Sequence, residues 1–148
     1  MINFEITNQT RSQIKLKLIK SIINNFSEVA QIKEAVNLSL VFVDRRLIKK
    51  WNLIYRGKDK ATDVLSFAQS DGEAIPGEIN ELGEILICLP VAKDQAKEYG
   101  WSVDQEVTRL LVHGLAHLIG YEHENVSQRE AAKMTKFEAK ALEKFKIK

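Results

Sequence analysis

The sequence predicts an α+β fold in which a small mixed sheet packs with about five helices. Segments with apolar residues at helical spacing outnumber the short apolar runs that are typical of strands, and the two kinds are mixed along the chain. With 148 residues, the chain is expected to form one domain over residues 1–148 and to bury a core without disulfides.

The first half of the chain predicts a helix, a strand, a second helix and a second strand. Apolar residues recur at every fourth position between Thr10 and Phe26, as on one face of an amphipathic helix. Residues 37–43 alternate as a half-buried strand does. Asp44 is suited to cap a helix that continues through Ile54, and residues 64–68 have the composition of a strand.

The middle of the chain predicts a loop, a central strand and a third helix. Residues 69–82 are rich in glycine, proline and acidic side chains, which favours a loop. Residues 85–89 form a continuous apolar run, typical of a strand buried on both faces. Pro90 is suited to begin a helix that extends to about Tyr99 and is closed by Gly100.

Two capping boxes predict the start of the last two helices. Ser102 with Gln105 precedes a helix that would carry two of the three histidines, and Ser127 with Glu130 precedes the final helix. The lysines near the end of that final helix suit the negative end of its dipole.

All three histidines of the chain fall within eleven residues, as His113-x₃-His117-x₂-Gly120-x₂-His123. Two histidines four residues apart share one face of a helix, and Gly120 can take the left-handed conformation that ends it, so that His123 returns as a third ligand. Three neutral imidazoles with an open fourth position are typical of catalytic zinc, where the metal lowers the pKa of its water to about 7. Other divalent transition metals also bind such a set.

The same histidine spacing occurs in the metzincin proteases, which carry a glutamate directly after the first histidine as general base. Gly114 stands at that position here. A zincin-like metal-binding helix is therefore predicted, but the missing base argues against peptide hydrolysis.

Three collinear segments carry a resemblance to a known family. The segment His113-Gly-Leu-Ala-His-Leu-Ile-Gly-Tyr-Glu-His123 resembles the signature of the YbeY family. The blocks from Asn52 to Phe67 and from Leu82 to Ile85 resemble two further family motifs. The match runs from about residue 50 to residue 125, with compatible ends, and departs from the family pattern at Glu84, Ala116 and Glu122.

This resemblance implies a zinc-dependent, single-strand-specific endoribonuclease with one Zn²⁺ per chain. It implies ribosomal RNA and the small ribosomal subunit as partners, in maturation of the small-subunit RNA 3′ end and in ribosome quality control. It also marks Arg56 as a catalytic residue, since Arg56 matches the arginine of the family motif. A guanidinium binds two phosphate oxygens at once and stays charged, which suits a phosphodiester transition state.

Two glutamates flank the third histidine and are catalytic candidates. Either Glu122 or Glu124 could accept a proton from the metal-bound water or orient an imidazole, and both fit equally well as solvated loop charges. Asp63 could fix Arg56 or cap a turn.

Charge is unevenly distributed although the net charge is only +2. Residues 45–60 hold seven basic and one acidic side chain, whereas residues 70–85 hold five acidic and no basic ones. Such a basic segment is suited to phosphate contacts beside a hydrolytic site. Besides Arg56, the candidate substrate-binding residues are Arg45, Arg46, Lys49, Lys50, Lys58 and Lys60.

Cys88 lies in an apolar run and is expected to be a small buried hydrophobe. No segment resembles a signal peptide or a membrane span, so a cytoplasmic location without membrane contact is expected. Two alternatives to the nuclease stay open: a metal hydrolase of another substrate, such as a peptidase, and a non-catalytic ribosome-associated zinc protein. A fourth ligand such as Glu124 would favour the latter, because structural zinc is normally closed by four protein ligands. The oligomeric state is not indicated.

Overall fold

The computed structural model describes residues 1–69 and 80–145 and has the predicted α+β architecture. Four strands form one mixed sheet, and five helices pack on it. In chain order the elements are β1 (Ile2–Asn8), α1 (Leu16–Val29), β2 (Val36–Val43), α2 (Arg45–Arg56), β3 (Val64–Ala68), β4 (Asn80–Cys88), α3 (Leu89–Tyr99), α4 (Val103–Leu118), α5 (Gln128–Leu142) and a short 3-10 helix (Glu143–Phe145).

The sheet has the strand order β1-β2-β4-β3. Strand β2 is parallel to both β1 and β4, and Leu40 lies opposite Ile6 on one side and Ile85 on the other. Strand β3 is antiparallel to β4 and forms one edge of the sheet. The apolar run at the end of β4 is therefore central, as its composition predicts.

The two faces of the sheet carry different helices. Ile85 and Ile87 of β4 face the main core, which they share with α1, α4 and α5. Leu86 and Cys88, the alternate residues of the same strand, face the opposite side and pack with Ile48 of α2. Because successive side chains of a strand point to opposite faces, α4 and α2 lie on opposite sides of the sheet.

Helix α1 begins at Leu16, six residues later than the apolar spacing predicts. The polar residues before it bond locally instead: Asn8 accepts from the backbone and hydroxyl of Thr10 and donates to the carbonyl of Ser12. Such side-chain bonds offer the backbone an alternative to the helix. Strand β1 is absent from the sequence prediction, although Ile2, Phe4 and Ile6 alternate as strand residues do.

Strand β4 begins at Asn80, so residues 80–82 of the predicted loop are strand. Of that loop, residues 70–79 lie outside the described residues. The starts of α2, α4 and α5 agree with prediction, since Asp44 and Ser127 both accept backbone N–H groups and Ser102 forms a complete capping box with Gln105. The predicted box at Ser127 is half formed: the Glu130 N–H donates to the Ser127 hydroxyl, but the Glu130 carboxylate lies beside Lys133. Within residues 1–69 and 80–145, none of the helices has both the length and the apolar character that crossing a membrane requires.

Candidate metal centre

The central helix α4 carries the first two histidines on its one polar stripe. Its other faces are buried against the sheet and the neighbouring helices, which fixes the helix in place. The helix ends at Leu118, and Gly120 has the predicted positive φ of 105°. The turn that follows brings His123 back, and the centroids of the three imidazole rings lie 4.5, 4.9 and 5.0 Å apart.

The nitrogens of these rings are arranged so that they could hold a metal ion. One ring nitrogen from each histidine lies within 4.8 Å of the others. The Nε2 atoms of His113 and His117 face each other at 3.1 Å. This is close to the roughly 3.3 Å edge of a tetrahedron with metal–nitrogen bonds of about 2.0–2.1 Å. The donor set therefore fits zinc or a similar divalent ion.

The outer nitrogens of the two helix-borne histidines are already engaged. The Nδ1 atom of His113 lies 3.1 Å from Oε1 of Glu138 on α5, and Nδ1 of His117 lies 2.9 Å from the carbonyl oxygen of Tyr121. If each Nδ1 donates to its oxygen, the Nε2 lone pairs are left free, which is the tautomer that binds a metal. Burial and the neighbouring His113 lower the pKa of His117, which favours its neutral, ligating form.

The turn after α4 is more open than the helix. The side chain of His123 is exposed, and its Nε2 lies 3.7 Å from Oε1 of Glu124. The carboxylate of Glu122 lies 3.5 Å from Nδ1 of His117, the nitrogen that already faces the Tyr121 carbonyl. Glu122 thus lies beside the outer nitrogen of the His117 ring, while Glu124 lies between His123 and the guanidinium of Arg56.

Arg56, the last residue of α2, reaches the same cleft from the opposite side of the sheet. Its Nη2 lies 3.3 Å from Oε2 and 3.4 Å from Oε1 of Glu124. The structure therefore pairs Arg56 with Glu124 and not with Asp63. The cleft has a volume of about 740 Å³. Its lining includes Tyr55, Arg56, Phe67, Arg109, His113, His117, Glu122, His123 and Glu124.

Gly114 lies where helix α4 packs closely against the sheet. A Cβ atom there would lie 3.0 Å from the Ser66 hydroxyl and 3.1 Å from two carbons of Ile85. The Ser66 hydroxyl also donates to the carbonyl of Gly114 at 3.3 Å. A longer side chain at this position would point into the sheet, so the missing metzincin glutamate is explained by packing.

A buried ion-pair network supports α4 below the histidines. The fully buried Glu106 accepts from Nε of Arg109 at 2.5 Å and from the Gln95 amide at 2.9 Å. Asp63 completes the network, since it accepts from Gln95 at 3.1 Å and lies 3.9 Å from Arg109. Its other oxygen accepts the backbone N–H of Val64. Asp63 thus supports local structure at the start of β3.

The six other basic candidates do not line the cleft. Arg45 pairs with Asp94 of α3 at the far end of α2, and Lys49 lies 3.8 Å from Asp59. Lys58 and Lys60 lie two and four residues after Arg56 and are exposed. Their contact with a substrate stays a prediction. Cys88 is fully buried, as expected.

The structure brings four further side chains to the site that the sequence does not identify: Tyr55, Phe67, Arg109 and Glu138. Arg109 stands one helical turn before His113. The four-residue spacing of positions 109, 113 and 117 therefore indicates that Arg109 shares the helix face of the two histidines. Glu138 has no such signal, because it comes from another helix 25 residues away.

The sequence of this chain is similar to those of one protein family. The family described as "Endoribonuclease YbeY" matches residues 2–146. An Endoribonuclease YbeY of Syntrophomonas wolfei is 37% identical over 137 residues, covering 88% of this chain and 86% of the relative. Another, of Desulforamulus reducens, is 44% identical over 118 residues, covering 78% and 77%. The fold is similar to the solution structure of a Thermotoga maritima protein, with a TM-score of 0.61, 24% identity and coverage of 98% and 91%.

Proposed function

Because this chain belongs to the YbeY endoribonuclease family, we propose that it is a zinc-dependent endoribonuclease that cuts single-stranded RNA. Its substrate in this proposal is ribosomal RNA, with roles in maturation of the small-subunit 3′ end and in ribosome quality control. One observation carries the proposal: three converging imidazoles and the guanidinium of Arg56 face the same open cleft.

In this proposal His113, His117 and His123 hold one Zn²⁺. Within the described residues, no other group of histidine, cysteine or acidic side chains is close enough together to hold a metal. When bound, the zinc ion supplies a positive charge and a water that is activated near neutral pH. With only three protein ligands, a coordination position is left for that water, as in catalytic rather than structural sites.

Arg56 stabilises the charge that develops on the phosphate. Its guanidinium offers a fixed fork of donors, and this matches two phosphate oxygens better than an ammonium group does. Glu124 holds Arg56 in the cleft, but the Glu124 side chain is 56% exposed, and exposed ion pairs contribute little free energy. A phosphate can therefore replace Glu124 as the partner of Arg56 at small cost.

Glu124 is the better of the two candidates for the proton acceptor. Its carboxylate lies near both His123 and Arg56, where a scissile phosphate would lie. Glu122 contacts the outer nitrogen of His117. In this proposal Glu122 is therefore further from the scissile phosphate than Glu124 is. We assign Glu122 a supporting role in fixing the orientation of the His117 ring.

The remaining basic residues are proposed to hold the RNA backbone outside the cleft. Lys58 and Lys60 follow Arg56 and would contact phosphates next to the scissile one. Helix α2 has 12 residues, spans roughly 18 Å and carries the other four basic candidates, Arg45, Arg46, Lys49 and Lys50. Their positive charge would attract the RNA backbone from further away.

Two other readings of the site are less well supported. A peptidase of metzincin type needs a base at position 114, and the contacts of Gly114 with Ser66 and Ile85 leave no room for one. A purely structural zinc would be enclosed by four ligands, whereas these histidines line an open cleft.

The test combines metal analysis with RNA cleavage. We expect the purified protein to contain about one zinc per chain, given three imidazole ligands, and to cut single-stranded RNA in a manner that chelation abolishes and added zinc restores. Arg56→Ala should lower the cleavage rate by about 10²- to 10³-fold while metal content is unchanged, and Arg56→Lys should recover part of the loss.

Peptide cleavage and ribosome binding provide the controls. Metal-dependent cleavage of peptides without cleavage of RNA would establish the peptidase instead. If Arg56→Ala keeps both its cleavage activity and its metal, Arg56 has no role in the mechanism. Tight binding to small subunits by a protein that cuts neither RNA nor peptides would favour the non-catalytic role.

A further inference from the structure

An exposed aromatic side chain stands next to the arginine of the cleft. Tyr55 precedes Arg56 on the last turn of α2, is 60% exposed and lines the cleft with the three histidines. Large apolar side chains that remain this exposed beside a polar cleft are candidates for contact with a ligand.

Two other rings hold Tyr55 in place. Trp51, one turn earlier on α2, stacks on it with centroids 5.5 Å apart and an interplanar angle of 28°. Phe67 of β3, which also lines the cleft, approaches from the sheet with centroids 4.8 Å apart. Trp51 and Phe67 are half-buried and pack on the core beneath α2. Tyr55 is therefore a preorganised ring with most of its surface in solvent.

The surroundings of this ring favour a polyanion. Nζ of Lys50 lies 5.7 Å from the centre of the Trp51 ring, and Lys58 and Lys60 follow on the exposed segment after Arg56. Exposed aromatic rings combined with basic side chains are the means by which proteins bind single-stranded nucleic acid, with bases stacked on the rings and phosphates on the cations.

We propose that Tyr55, backed by Trp51 and Phe67, is a stacking platform for one unpaired base of the RNA, adjacent to the phosphate that Arg56 binds. This inference rests on the proposed endoribonuclease function and adds the part of the substrate that the aromatic rings recognise. A base within a duplex is covered on both faces by its neighbours, so only an unpaired nucleotide can reach Tyr55. The platform would thereby select single strands.

The test compares Tyr55→Ala with Tyr55→Phe and with Ile54→Ala. Ile54 is the matched control, since it is the adjacent residue of α2, is 57% exposed and does not line the cleft. We would measure the anisotropy of a labelled single-stranded RNA of about ten nucleotides, before appreciable cleavage. Tyr55→Ala should weaken binding by about 5- to 100-fold and raise KM more than it lowers kcat, because base stacking contributes mainly to binding. Tyr55→Phe and Ile54→Ala should resemble the wild type.

A series of RNAs with one abasic nucleotide identifies the contact directly. With wild-type protein, affinity should fall at one position near the cleavage site. With Tyr55→Ala, the same abasic nucleotide should cause no further loss, since the two changes remove one interaction. Additive losses at every position would overturn the stacking platform.

Failure of this inference can be told apart from failure of the proposed function. A wild-type protein that neither binds nor cuts RNA would refute the nuclease proposal itself. If the wild type cuts RNA but Tyr55→Ala binds it as Ile54→Ala does, only the platform is refuted. The same holds if Tyr55→Ala loses association with ribosomal subunits while its affinity for the free RNA is unchanged, since the ring would then contact a protein.

Discussion

The histidines at the cleft come from two regions with different supports. His113 and His117 lie on the buried helix α4, have side chains 23% and 19% exposed, and are each held at Nδ1 by an oxygen acceptor. His123 lies on the turn after that helix and is 41% exposed, and its Nε2 lies 3.7 Å from the exposed Glu124. In the proposed metal site, the helix would therefore supply two enclosed ligands and the turn a more exposed third.

This division suits a hydrolytic centre. Two fixed imidazoles would define where a metal lies, because ligands locked by packing and outer hydrogen bonds need little reorganisation on binding. The turn carries His123, Glu122 and Glu124, and Glu124 contacts Arg56. The residues proposed to act on substrate therefore lie on the more exposed side of the site. The following three predictions test this difference.

The largest effect is expected when single histidines are removed. His117→Ala should lower metal affinity more than His123→Ala does, because the second variant keeps the preorganised pair on α4. The loss in His117→Ala should exceed the roughly 10- to 100-fold typical of an outer-sphere contact. Metal titration against a competing chelator measures both, with circular dichroism as the control for folding. Equal losses in the two variants would contradict the division of the site.

A smaller but still large effect is expected at Gly83, where β4 meets the end of α4. A Cβ atom there would lie 2.3 Å from the Phe67 carbonyl oxygen and 2.8 Å from Cδ2 of Leu118, at a φ of 146°. Gly83→Ala should lower the free energy of unfolding by about 2–5 kcal/mol through backbone strain and overpacking.

Gly100→Ala is the matched control for Gly83→Ala. Gly100 also has a positive φ, of 73°, but apart from its chain neighbours no described residue has an atom within 4 Å of the position that its Cβ would take. Its cost should stay near the roughly 1–2 kcal/mol of backbone strain alone. Denaturant unfolding of both variants isolates the packing between α4 and the sheet, and equal costs would show that this packing does not constrain the helix.

The smallest effect is expected at the carboxylates next to the histidines. Glu138→Gln should lower metal affinity by about 10- to 100-fold, because the Glu138 carboxylate holds the His113 ring in one orientation. Glu124→Gln should change metal affinity less, since its distance of 3.7 Å from His123 is too long for a hydrogen bond. Isothermal titration with Zn²⁺ compares them, with Glu143→Gln, an exposed glutamate just after α5, as control. A larger loss in Glu124→Gln would reverse the comparison.

Local features of the sequence predict the helix-borne half of this site well. The spacing of His113 and His117, the capping box at Ser102 and the stop at Gly120 all act within one or two helical turns, and the structure contains each of them. The start of α1 is predicted less well, because hydrogen bonds of Asn8 and Thr10 compete with a helix that the apolar spacing favours.

Contacts between distant segments have no local signal in the sequence. Glu138 meets His113 only because α5 packs on α4, and Arg109 meets Asp63 only because α4 packs beside β3. The partner of Arg56 was likewise left open, since Asp63 is nearer in sequence than Glu124. Strand β1 has the alternation of a strand, but its parallel pairing with β2, some 34 residues later, has no local signal in the sequence.

The sequence separations within the cleft have a consequence for the order in which the site assembles. The three imidazoles span eleven residues, so one contiguous segment, α4 with its turn, carries all of them. Arg56 and Glu124 meet across 68 residues, and closing that larger loop costs about 2 kcal/mol more entropy than closing ten residues. On this basis a nascent chain gathers its imidazoles before it gains a guanidinium beside them. If the chain is a metal-dependent nuclease, an intermediate that lacks these long-range contacts would cut RNA only slowly, because Arg56 has not yet reached the histidines.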